Sequence, residues 1–68
     1  MGDITKIVQN IAKELEPIHP CSDYELGRLA EILSAHYTVP VDMATRVNLW
    51  CCEMKMPELC SVAHRGIK

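Results

Sequence analysis

A chain of 68 residues, 49 % of them apolar, can enclose one modest hydrophobic core and no more, so one domain over residues 1–68 is expected. The formal net charge of −2 and the lack of any block of like charges argue against a polycationic binder of nucleic acid or acidic membranes, and no apolar run approaches the ~20 residues of a membrane span. A core this small rarely supplies more than roughly 3–5 kcal/mol, so tight helix packing, a metal, disulfides or a second copy of the chain is expected to reinforce it.

The first predicted element is a helix over 3–16. Ile4, Ile7, Val8, Ile11, Ala12 and Leu15 recur at the i, i+3, i+4, i+7 spacing of one helical face. Asp3 is placed to cap it, and Pro17 and Pro20 end it, because proline has no N–H to donate and restricts the residue before it. Ser22 and Glu25 then stand in capping-box spacing, opening a second helix over 23–37 with Leu26, Leu29, Ala30 and Leu33 as its buried stripe and Ile32 and Tyr37 widening it. Gly27 weakens this helix by about 1 kcal/mol relative to alanine unless another backbone packs closely on it.

Val39-Pro40 forces extended backbone, and Asp42 is placed to cap a third helix over 42–56. Its stripe is Met43, Val47, Trp50, Cys51 and Met54. Ala44, Leu49 and Cys52 add apolar character to the other side, which suits either a central helix or one with a second contact surface. Pro57 either kinks this helix or opens a short fourth one over 57–65, the reading taken here, with Leu59, Val62 and Ala63 at helical spacing and Gly66 as a stop. No segment alternates with period two and nothing repeats, so the fold class is all-α, a compact bundle of three to four short helices.

The residues with most chemical potential are four cysteines and three histidines. Zinc needs four N or S ligands, and His19 with Cys21 could meet Cys60 and His64, which share a helical face. Against this, there is no Cys-x-x-Cys pair, and Cys51, Cys52 and Cys60 are well explained as small apolar residues, so no metal or other cofactor is expected. Cys60 with His64 resembles a thiol and its base, but the third, orienting group is not evident, and the chain is read as not being an enzyme. Asp3 and Lys6 stand where an export signal would be apolar, so a cytoplasmic protein with reduced thiols is expected.

Two functional classes remain. A helix, a connection and a second helix bearing Arg46 give a helix-turn-helix order, and Val41 to Val47 is loosely similar to the closing helices of repressor-type domains over those few residues. The connection from Ser34 to Val41 is long for that motif, and Arg46 and Asn48 are the only candidate contacts before Lys55, so nucleic acid is the lesser expectation. The favoured class is a small protein-binding regulator or inhibitor that occupies a surface of a larger protein or complex. A phage or other mobile element as its source follows from size alone, and a homodimer is the other partner considered. Residues 1–34 carry a formal charge of −3 and residues 35–68 one of +1, so acidic Glu25 and Glu31 could engage a basic partner. Arg46, Leu49, Trp50, Met54 and Met56 complete the expected contact set, since Trp, Met and Arg are enriched at interfaces.

Overall fold

Four helices form where the apolar stripes place them. The computed structural model describes residues 3–67, and of Asp3 the backbone alone. Helix α1 spans Asp3–Leu15, α2 Asp23–Ser34, α3 Met43–Glu53 and α4 Cys60–His64, with single 3₁₀ turns at Pro57–Leu59 and Arg65–Ile67 on either side of α4. The described residues contain no strand. The capping role expected of the Asp3 side chain lies outside them. No helix is long and apolar enough to cross a membrane among the described residues.

The stripes set the packing. Ile11 and Leu15 of α1, Leu29 and Leu33 of α2, and Val47 and Trp50 of α3 are all fully enclosed. Burying side chains of this size stabilises the fold by about 1.5–3 kcal/mol each. The principal contacts run in a ring, α1 on α2, α2 on α3, α3 on α4, and α4 with the last turn back on α1. Trp50 stands at the α2–α3 seam, its indole N–H donating to the Glu25 carbonyl at 2.9 Å, so that its polar atom is satisfied although the ring is buried.

The helix starts follow the sequence closely. Glu25 N–H donates to Ser22 Oγ at 3.2 Å and Ser22 N–H to Glu25 Oε1 at 2.7 Å, the full capping box. Thr45 N–H donates to Asp42 Oδ1 at 2.8 Å, so Asp42 caps α3.

The helix ends differ from expectation, each for an identifiable reason. Helix α2 stops at Ser34 rather than residue 37: Ala35 turns extended, Ser34 Oγ donates back to the Ala30 carbonyl at 2.8 Å, and the Arg46 guanidinium takes the Leu33 carbonyl. A cation on the last carbonyls suits the negative end of the helix dipole. Helix α3 stops at Glu53 rather than residue 56. Met56 N–H donates to the Cys51 carbonyl at 2.8 Å and Lys55 N–H to the Cys52 carbonyl at 3.1 Å, a Schellman motif whose left-handed position, φ 59°, is held by Lys55. Pro57 therefore starts a new turn and does not kink α3. Gly66 is not a simple stop either, because the chain continues through it in a 3₁₀ turn packed on α1, where a Cβ would lie 2.6 Å from the Ile11 backbone nitrogen.

Candidate protein-binding surface

The capping box that starts α2 also fixes which of its faces points outward. With Leu29, Ile32 and Leu33 turned to the core, Tyr24, Gly27, Arg28 and Glu31 line the opposite stripe at i, i+3, i+4 and i+7. They surround a shallow depression of about 190 Å³. Tyr24 is 69 % exposed, and a Cβ built on Gly27 would meet nothing within 4 Å. The fold therefore does not need a glycine there.

Arg28 organises the rest of this face. Its Nε and Nη2 donate to the two oxygens of Glu53 on α3 at 2.5 and 2.7 Å, and its Nη1 donates to Glu31 Oε1 at 2.8 Å. This fork ties α2 to α3 and holds the Glu53 carboxyl below its usual range, while the two carboxylates keep the guanidinium charged. Glu31 and Glu53 against Arg28 leave the patch net negative.

Two other features carry chemistry. Between α1 and α2 lies an open depression of about 350 Å³, lined in part by Ala12, Lys13, Glu16, Pro20, Cys21 and Leu26. Burial, with the Glu25 charge beside it, raises the Cys21 thiol, which keeps its proton on and makes it a poor nucleophile. Elsewhere, Asn48 of α3 meets α4. Its Oδ1 lies 2.6 Å from Cys60 Sγ, which donates to it, and 2.7 Å from His64 Nε2. Cys60 and His64 thus do acquire a third partner, but both bond to the amide oxygen, and the thiol acts there as a donor. Burial and then Cys60 push the neighbouring Cys51 thiol up to about 12.

The expected contact residues are dispersed by the fold. Trp50 and Met56 belong to the core, because the α3–α4 junction folds Met56 inward and the α2–α3 seam encloses the indole. Arg46 is turned inward as well: Nε donates to the Val41 carbonyl at 3.0 Å, and the guanidinium lies 5.1 Å from the Tyr37 ring centroid while it caps α2. This removes the one base of α3 from the surface a helix-turn-helix reading needs. Glu25 is committed to the capping box and to His19 Nε2 at 3.0 Å, its carboxyl lowered first by the Ser22 N–H and then by His19. Met54 is half-buried. Glu31 and Leu49, the latter 45 % exposed, are the two that face solvent.

The zinc set of His19, Cys21, Cys60 and His64 does not assemble, since His19 pairs with Glu25 and His64 with Asn48 on another part of the molecule. Among the described residues no group of three or more His, Cys, Asp and Glu side chains could hold a metal ion. Sequence reasoning passed over Tyr24 and Arg28. The available signal was an aromatic residue on the polar stripe of α2, opposite Leu26, Leu29 and Leu33. Asn48 was invisible as the partner of Cys60 and His64 because it lies on a different helix.

No protein-family model, no curated protein and no solved structure matches this chain.

Proposed function

We propose that this protein is a small binding module that regulates or inhibits a larger protein or complex by occupying part of its surface, with no catalysis of its own. The observation that carries this reading is Gly27. It lies within α2, is exposed, and costs the helix about 1 kcal/mol relative to alanine for no packing gain. Beside it stands Tyr24, the most exposed of the large apolar side chains. A bare stretch of helix next to an open aromatic ring is what close approach by a partner backbone requires, and aromatic residues dominate binding energy at such contacts. The α2 face thus takes the place of the Trp50- and Met56-centred surface expected from sequence. Of the contacts expected from sequence, Glu31 lies on this face and Leu49 remains as an outlying one.

The test is purification of the tagged chain from its own host, with the native mass of the recovered complex. A stoichiometric larger protein, retained by Leu49→Ala and lost with Tyr24→Ala, is the expected result. Recovery of the bare chain, a homodimer alone, or the chain bound to nucleic acid would sink the reading.

A further inference from the structure

The depression over Gly27 has three chemically distinct sides. The Tyr24 ring presents an open π face, Gly27 forms a floor without a side chain, and Glu31 closes the far side with a carboxylate 67 % exposed. Arg28 also lines the depression, and its two bonds to Glu53 draw its guanidinium toward α3. Glu31 holds Arg28 through a single bond at 2.8 Å and can exchange partners while Arg28 stays doubly bonded to Glu53. Two carboxylates, Glu31 and Glu53, share that one guanidinium, so the cluster keeps a net negative charge that favours an incoming cation.

From this geometry we infer that the depression is a socket for a basic side chain, arginine or lysine, presented by the partner protein. The inference rests on the binding-module reading and adds the partner's chemistry to it. A guanidinium or ammonium over the Tyr24 face gains from the ring quadrupole, and its N–H groups reach Glu31 from the same position. The absent Cβ at Gly27 lets the stem of that side chain lie against the helix backbone. Acidic Glu25, by contrast, is no part of the socket, because its two oxygens already serve Ser22 and His19.

The probe is a short arginine-glycine peptide, titrated into the ¹⁵N-labelled full chain, against the same peptide with citrulline in place of arginine. Amide shifts centred on Tyr24, Gly27 and Glu31 are expected with arginine and not with its neutral isostere. Tyr24→Ala and Glu31→Gln each weaken that binding about tenfold, whereas Tyr24→Phe and Glu14→Gln, which retain the ring and remove a distant carboxylate, leave it unchanged. Equal shifts with citrulline, undiminished binding in Glu31→Gln, or shifts centred on Leu49 and Cys52 would overturn the socket. The two readings fail separately. A host complex that persists in Tyr24→Ala and Glu31→Gln refutes the socket and leaves a binding module. Arginine-specific binding with no stoichiometric host partner supports the socket and refutes the module.

Discussion

At Lys55 the backbone takes a φ of 59°, a conformation that costs a residue with a Cβ roughly 1–2 kcal/mol and costs glycine little. Lys55→Gly is therefore expected to stabilise the protein by about 1 kcal/mol, part of the relief being offset by the greater freedom of glycine in the unfolded chain. A higher urea midpoint with an unchanged slope is the readout. The opposite substitution applies on α2. Gly27→Ala adds a methyl group into open space and should raise stability by about 1 kcal/mol, or roughly 4–8 °C in melting temperature, while weakening partner binding. A stabilised variant with unimpaired binding would show that the glycine serves nothing. The cost of Gly27 was legible in the sequence; its exposure was not, because a helical glycine reads the same whether a neighbouring backbone covers it or solvent does. Lys55 was illegible for a related reason, since the turn that uses it ordinarily announces itself with glycine.

Helix starts and helix ends are encoded differently, and this decides how much of each element could be foreseen. A start is signalled locally, by Ser22 and Glu25 three residues apart or by Asp42 before an apolar stripe, and both caps form. The end of α2 depends on Arg46, thirteen residues beyond Leu33, and no local pattern reports that contact. The caps also set the response to acid. Glu25, Asp42 and Glu53 all have lowered carboxyl groups, by the Ser22 N–H, by Thr45 and by Arg28 respectively. A lowered folded value means that the stabilisation is fully present above the ordinary carboxylate value, 4.5 for Glu25 and Glu53 and 3.8 for Asp42, and is lost as pH falls through the folded values below it. The melting temperature should accordingly be level near neutral pH and decline on the acid side of those values. Asp42→Asn retains a capping oxygen and removes the titration, so it should keep neutral-pH stability to within about half a kcal/mol and flatten the acid decline. Asp42→Ala, lacking the cap, should cost about 1 kcal/mol at neutral pH. An acid decline as steep in Asp42→Asn as in the wild type would remove Asp42 from this account.

The molecule as a whole is closed by contact between its two ends. The last turn, Arg65–Ile67, packs on α1, and Gly66 meets Ile11 so closely that a Cβ would lie 2.6 to 2.7 Å from its backbone nitrogen, Cα and Cγ1. The nearest of these atoms are backbone within a helix, which cannot rotate away as a side-chain tip would. Gly66→Ala must then displace the turn from α1, at a cost of about 1–3 kcal/mol or more, where the sequence alone assigned this glycine only the ending of a helix. Because Ile11 lies in the same cluster as Trp50, the loss is expected to be felt across the ring of helices and not at the terminus alone. Trp50 is the only tryptophan and is fully buried on α3, so its fluorescence reports from the opposite part of the core. Unfolding followed by Trp50 and by helical circular dichroism should shift together to lower urea concentration in Gly66→Ala. If the Trp50 transition stays at its wild-type midpoint while helical signal is lost earlier, the closing turn is a separable appendage and the core of α1, α2 and α3 stands without it.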